Sequence, residues 1–212
     1  MAPRTLTLIA AAAAKNNGIG IGLRIPWRLP RELGYFHRVT TTVPEDEQAR
    51  DGRPVVNACI VGRRTWEGIP PKHRPFPGRY TIVVTSSSGL LGSEASPVAV
   101  TQPSLAAALQ HVDAVNADAS APVRIARVFV AGGGGIYEEA MRMPACRIQV
   151  LLTRVEFADA DRCDAFFPPL DEAALSRQPH ARLEEVVGFA VPAGLQTEAG
   201  IDYEFQLFES TR

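Results

Sequence analysis

The sequence predicts an α/β domain built on a largely parallel central sheet, and three observations carry that prediction. Short, near-continuously apolar runs bounded by Gly, Pro and Ser recur along the chain, as strands covered on both faces require. Helix-like segments alternate with these runs, which is the βαβ pattern. Near the C-terminus the pattern changes. ARLEEVVGFAV and DYEFQLFE alternate apolar with polar, which suggests antiparallel pairing at that edge.

Taken in order, the predicted strands cover 6–12, 55–61 (VVNACIV), 80–85 (YTIVVT), 97–100, 127–131 (RVFVA) and 148–155 (IQVLLTRV). The first lies in LTLIAAAAAK, 6–15, an apolar run that could also be a secretory h-region. A single arginine before it is a thin charged region, and T-L-T-L-I reads better as a buried strand. Predicted helices cover 30–41, 64–68, 104–115 and 135–142. Pro30 suits a first helical position, where a missing N–H costs nothing. The segments 41–54 (TTVPEDEQARDGRP) and 115–122 (VNADASAP) lack an apolar period and read as surface loops. With no repeat and no second composition regime, the 212 residues are expected to form one domain.

Composition narrows the function classes. A hydrophobic fraction of 46%, a charged fraction of 21% and a formal net charge of −1 are those of an ordinary soluble protein. They remove the electrostatic reason to propose a nucleic-acid partner. No run approaches ~20 apolar residues, so no membrane span is expected. Cys59, Cys146 and Cys163 are widely spaced and odd in number, which argues against a disulfide framework or a zinc knuckle and suits a reducing compartment such as the cytoplasm.

Four stretches carry the chemistry. In IPWRLPRELGYF, 25–36, Glu32 and Phe36 stand four apart, so the carboxylate and the ring share a helix face, as Leu33 and Phe36 do. Glu32 is either a solvated helix-start charge or a functional group in an apolar pocket. VFVAGGGGIYEEAM, 128–141, runs from strand through four glycines into helix, a turn that lets backbone approach a pyrophosphate or that is purely structural. It is not G-x-G-x-x-G, and no acidic residue follows at the expected distance, so the dinucleotide fingerprint of the doubly wound fold fails.

IVGRRTWEGIP, 60–70, repeats the strand-to-helix turn with Arg63, Arg64 and a capping Thr65. The arginines are either solvated surface cations or readers of a 2′-phosphate. Arg79 follows the Pro-Gly turn of FPGRY and is either a strand-edge cation or a clamp for a ligand carboxylate. Gly18-Ile19-Gly20 opens a loop ending in Pro26-Trp27, with Trp27 as core or as part of an element that closes over a site.

Together these segments resemble dihydrofolate reductase over essentially the full length. The matching residues are LIAA, GIGIGLRIPW, LPRELGYF, IVGRRTWEGIP with RPFPGR, VFVAGGGGIY, LLTRV, FFP and the terminal YEFQLFE. The length and the excursion at 41–54 are similar to the longer, fungal-type members. The resemblance implies a central mixed, mostly parallel eight-stranded sheet with flanking helices. It also implies a cytoplasmic monomer that makes tetrahydrofolate for one-carbon metabolism and is a target of diaminopyrimidine and pteridine antifolates.

Carried over residue by residue, the resemblance makes Glu32 the single active-site acid, on the 2-amino and N3 side of the pteridine of dihydrofolate. Trp27 is then its catalytic neighbour and Thr153 its hydrogen-bond partner. Phe36 and Ile69 flank the pterin and benzoyl rings, and Arg79 holds the α-carboxylate. Ile9, Ala11, Leu33, Ala131 and Tyr137 complete the implied substrate pocket. For NADPH, Ile19, Gly20 and Gly22 lie in the loop over the nicotinamide. Ala11, Gly62, Arg63, Arg64, Thr65, Thr85, Ser86, Ser87, Gly132, Gly133, Gly134, Gly135, Ile136 and Tyr137 match the remaining contacts. In the family the Gly-Gly pair, here Gly132-Gly133, adopts a cis peptide.

Three departures stand out. Ala131 replaces the family's usual Val or Ile, Ser86 or Ser87 replaces an arginine that several relatives use on the 2′-phosphate, and the alanine run fixes the position at Ala11 or Ala12 to within one residue. The implied reaction is hydride transfer from NADPH to C6 of 7,8-dihydrofolate with protonation at N5, and no metal. Two other readings remain: the related riboflavin-pathway reductase, and a non-catalytic pterin carrier. The spacing of Trp27, Glu32 and Phe36 and the arginine of PFPGR favour dihydrofolate.

Overall fold

A computed structural model describes residues 4–47, 52–87, 89–144, 146–171 and 173–211. The first half of the chain forms β1 (Arg4–Ala13), β2 (Gly18–Gly20), α1 (Pro30–Thr41), β3 (Val55–Gly62), α2 (Arg63–Gly68), β4 (Arg79–Val84) and β5 (Ala99–Gln102). The second half forms α3 (Leu105–Ala117), β6 (Arg124–Val130), α4 (Gly134–Met141), β7 (Cys146–Val155), β8 (Ala165–Phe166), β9 (Leu175–Arg177), α5 (His180–Val187), β10 (Gln196–Glu198) and β11 (Ile201–Ser210). No described helix is long and apolar enough to cross a membrane.

The sheet follows the order β10-β11-β7-β1-β6-β3-β4-β5, eight strands, with β9 added beside β11 as a ninth. From β7 to β5 every pairing is parallel, whereas β11 runs antiparallel to β7, β9 and β10. The mixed sheet and its antiparallel C-terminal edge are therefore as expected. Period-two alternation divides the core. Leu6, Leu8 and Ala12 of β1 pack with α3 and α4, while Ile9 and Ala13 pack on the opposite face with α1 and α5. Each fully buried leucine or isoleucine here stabilises by roughly 1.5–3 kcal/mol.

Four sequence expectations need correction. ARLEEVVGFAV is not an edge strand but is mostly α5: Leu183 and Val187 stand four apart, both buried, and Gly188 ends the helix at φ 78°. The excursion at 115–122 begins later, because α3 continues to Ala117 before turning. Thr65 does not cap α2. Gly62 stands at its N-cap and Thr65 lies inside the helix, where its hydroxyl faces Gly132 and Gly133 instead. The fifth strand covers 99–102 rather than 97–100. Within the expected loop at 41–54, Thr41 closes α1 and Glu45–Glu47 form a 3-10 turn, while 48–51 lie outside the described residues.

Candidate active site

Ala11, Gly62, Thr85, Ala131 and Thr153 lie at or just beyond the C-terminal ends of parallel strands, the usual place for a ligand in an α/β sheet, whereas Arg79 opens β4. Glu32 leads. Pro30 opens α1, and Glu32, Tyr35 and Val39 fall on the helix face buried against the sheet. Glu32 is only 8% exposed. Thr153 of β7 donates its hydroxyl to Glu32 Oε1 at 3.1 Å, and Oε2 accepts no hydrogen bond among the described residues. Burial raises the Glu32 carboxyl from its ordinary 4.5 to about 7. Thr153 pulls against that rise, and the charge of Glu198 adds a smaller upward push. Burial also raises the phenols of Tyr35 and Tyr137, with the charge of Glu32 as a second cause.

Around Glu32 the register of the sheet puts Ala11 and Ala12 on opposite faces. Thr153 stands opposite Ala11 on one side and Phe205 on the other. Ala11 packs on the α1 face, together with Phe36 and Ala131, while Ala12 is buried on the other face. Trp27 is buried edge-on against Phe157, with ring centroids 5.5 Å apart. Its Nε1 is the one buried side-chain polar atom without a partner among the described residues. Such a donor signals either an energetic cost or a ligand.

Arg79 lies near the other end of α1. It is 5% exposed and has no acidic partner among the described residues. Its Nη1 donates to Thr40 Oγ1 at 2.9 Å and its Nε to the Pro77 carbonyl at 3.1 Å. The guanidinium lies 4.9 Å from the Phe76 ring centroid and 5.9 Å from that of Phe36. A buried cation held only by neutral groups pays desolvation without a counter-charge, and burial accordingly lowers its pKa. Leu33, at 57%, is among the large apolar side chains left exposed, beside these groups on α1. Ile69 follows α2 and is half-buried.

A second cluster forms at the glycine turns. Gly132-Gly133 is joined by a cis peptide, and Gly62 N donates to the Gly132 carbonyl at 2.7 Å. Gly132 has φ +118°, and a Cβ added at Gly132 or Gly133 would meet Thr65 Oγ1 at 3.2 or 3.1 Å. Gly134 and Gly135 open α4, whose Ile136 and Tyr137 are buried, and the Tyr137 hydroxyl donates to the Ile9 carbonyl at 2.7 Å. Arg63 pairs with Glu67 at 3.2 Å. The Arg64 side chain is exposed and makes no ion pair or hydrogen bond among the described residues. Thr85 is half-buried, with Ser86 and Ser87 exposed beyond it. On the loop, Gly18 and Gly20 pair with β8, Gly22 N donates to Asp164 at 2.9 Å, and Ile19 packs against the core. A Cβ on Gly68 would come within 2.1 Å of the Leu23 carbonyl, so this loop rests on the end of α2.

The family model described as dihydrofolate reductase matches residues 5–186. The chain belongs to the dihydrofolate reductase family. It is 35% identical over 211 residues to the dihydrofolate reductase of Pneumocystis carinii, covering 97% of this chain and 96% of that one. It is 34% identical over 201 residues to that of Heliothis virescens, with 95% of each chain covered. The solved structure of Schistosoma mansoni dihydrofolate reductase superposes with a TM-score of 0.74 at 25% identity, covering 98% of this chain and 99% of that one.

Three residues around this candidate site carry no signal in the sequence. Thr40 holds Arg79 and is itself fully buried. Asn57 donates to the Thr40 and Thr42 carbonyls at 3.1 and 2.9 Å and so fastens the end of α1 to β3. Glu198 reaches the start of α1 from 167 residues away. Thr40 and Asn57 are single polar residues within a helix and a strand, and Glu198 lies in a segment with no chemical motif.

Proposed function

We propose that this enzyme reduces 7,8-dihydrofolate to 5,6,7,8-tetrahydrofolate with NADPH, supplying one-carbon metabolism. One observation carries the substrate reading. α1 presents a buried, under-bonded carboxylate at Glu32 and, through Thr40, a buried guanidinium at Arg79 that has no acidic partner among the described residues. The two anchor positions are eight residues apart, about 12 Å of helix. That spacing suits a ligand with a flat amidine-like donor edge at one end and a carboxylate at the other.

Glu32 offers its two acceptor oxygens to the 2-amino and N3 edge of the pteridine, an arrangement that also accepts diaminopyrimidine antifolates. Trp27 Nε1 is a buried donor without a partner among the described residues, and Thr153 fixes the orientation of Glu32. Phe36, Leu33 and Ile69 supply apolar contact for the rings, and Arg79 takes the α-carboxylate. Ala131 leaves more room than Val or Ile would, which changes inhibitor fit. Because Glu32 holds its proton to about pH 7, it keeps a proton on the carboxyl–pteridine unit near neutrality, and turnover declines as pH rises through that value.

The glycine turns fit a dinucleotide. A Cβ at Gly132 or Gly133 would press on Thr65 Oγ1 at 3.2 or 3.1 Å, so these glycines let the turn pack closely on α2. NADPH, when bound, supplies hydride to C6 of dihydrofolate as N5 is protonated. Gly62, Thr65, Thr85 and Gly132 to Tyr137 would hold its backbone. Arg63 and Arg64, with Ser86 and Ser87 nearby, would read the 2′-phosphate, and Ile19, Gly20 and Gly22 would exclude water above the ring.

Loss of NADPH absorbance with and without dihydrofolate tests the reading. Dihydrofolate-dependent oxidation that prefers NADPH over NADH and is blocked by a diaminopyrimidine is the expected result. Pterin binding without turnover would instead support a carrier.

A further inference from the structure

α1 begins without a cap of its own. Leu29 at the N-cap has no side-chain acceptor, and Pro30 carries no N–H. The first helical amide that needs a partner is Arg31 N, next to Glu32. Both oxygens of Glu198 accept from it, at 3.1 and 3.0 Å. Glu198 ends β10, whose hairpin to β11 closes through Ala199 and Gly200, both at positive φ (53° and 74°). That two-residue turn has the conformation matched to strand twist, and it presents the Glu198 side chain, 13% exposed, to the helix start. The Arg31 guanidinium reaches Glu198 Oε1 at 4.0 Å but is itself 75% exposed.

We propose that Glu198 is a positioning residue for Glu32, fastening the first turn of α1 and setting the electrostatic field in which the Glu32 carboxyl exchanges its proton. An acceptor at a helix N-terminus replaces the missing cap, and an anion there is favoured by the helix dipole. The same anion opposes a second negative charge one residue further along. The groups facing Glu32 agree with this picture: Thr153 is its hydrogen-bond partner, while Tyr35, Tyr137 and Tyr203 are neutral phenols whose own ionisation Glu32 opposes. Glu198 is the charged neighbour that raises the proton affinity of Glu32. The catalytic consequence rests on the role given to Glu32 above, whereas the electrostatic one does not.

The test uses unliganded protein labelled with 13C at the glutamate carboxyl carbon, with E32Q assigning the Glu32 resonance. Glu198→Gln keeps an acceptor for Arg31 N and removes the charge, so the Glu32 titration midpoint should fall by about half a pH unit at low salt. Arg31 amide exchange should stay slow in E198Q and quicken in E198A. R31A, which leaves the backbone donor in place and removes the counter-cation, should move the midpoint the other way. An unchanged midpoint in both E198Q and R31A overturns the proposal, because a purely structural cap would leave the titration alone. If the Glu32 midpoint falls in E198Q, the pH profile of kcat should fall with it. A shifted carboxyl with an unshifted profile would support the positioning of Glu32 by Glu198 and refute the role of Glu32 in turnover.

Discussion

Thr153 Oγ1 donates to Glu32 Oε1 at 3.1 Å, and this contact is the one side-chain hydrogen bond that Glu32 makes among the described residues. The remaining solvation of the carboxylate has been given up to burial, which raises it from 4.5 to about 7. Below pH 4.5 the folded and unfolded chains both hold the proton, and the site costs nothing. Between 4.5 and about 7 the unfolded chain releases the proton while the folded chain retains it, so stability falls as pH rises. Above 7 a cost of up to about 3 kcal/mol remains. Glu32→Gln should therefore raise the Tm of the unliganded protein by several degrees at pH 8 and leave it nearly unchanged at pH 4.5. Its kcat should drop on the order of 100-fold. Thermal melts across pH together with steady-state kinetics test both halves, and unchanged activity across pH would remove Glu32 from the reaction.

Thr153→Val keeps the shape of the side chain and deletes the donor. The hydrogen bond favours the ionised form, so its loss should raise the Glu32 pKa and move the fall in kcat to higher pH, on the order of one unit. A pH–rate profile decides the sign. Movement to lower pH would mean that Thr153 supports the protonated carboxyl instead.

Arg79→Ala should raise KM for dihydrofolate roughly 30-fold or more, because a buried charge-to-carboxylate contact is lost, and it should leave KM for NADPH nearly unchanged. Diaminopyrimidine inhibitors without a carboxylate should lose little affinity. The unliganded protein should respond in the opposite sense. Arg79→Met removes a buried cation without an acidic partner among the described residues and should raise Tm. A defect confined to NADPH would show that the two ligand sites have been exchanged.

Much of this arrangement is legible without coordinates, for a physical reason. The strands that carry the site are buried on both faces, and that condition writes itself into sequence as continuous apolar runs. The site's glycines and its turn-borne arginines sit at strand ends, where local signals are strong. ARLEEVVGFAV misleads because its apolar residues satisfy two periods at once. Pro179 before it and Gly188 within it are the helix punctuation that resolves the ambiguity. Thr40, Asn57 and Glu198 are illegible for a different reason: each acts across the fold, and the hydrogen bond from Arg31 to Glu198 spans 167 positions. The two-residue β8 and three-residue β9 are too short for any period to appear.

Gly132→Ala should damage the second cluster selectively. At φ +118° an L side chain is strained wherever it points, and here its Cβ would also press on Thr65 Oγ1 at 3.2 Å. The expected stability loss is about 1–3 kcal/mol. NADPH affinity, measured by quenching of protein fluorescence, should fall much further than diaminopyrimidine affinity. Equal losses for both ligands would mean that the turn supports the whole site rather than the dinucleotide.

Arg63 and Arg64 provide the sharpest check on cofactor choice. Arg63 is already paired with Glu67 at 3.2 Å, an exposed i,i+4 contact of small energy that a phosphate can displace. Arg64 has no protein partner among the described residues, and with serines at 86 and 87 no third arginine stands there to share the task. Arg64→Ala should therefore lower kcat/KM for NADPH by roughly 10-fold, the value of one charge-assisted contact, while leaving that for NADH almost unchanged. Glu67→Gln should act in the opposite direction, releasing Arg63 and raising the NADPH preference slightly at low salt. High salt should shrink both effects, because the side chains are exposed. The comparison requires both cofactors with each variant. Equal losses for NADPH and NADH in Arg64→Ala would transfer 2′-phosphate recognition away from α2 altogether.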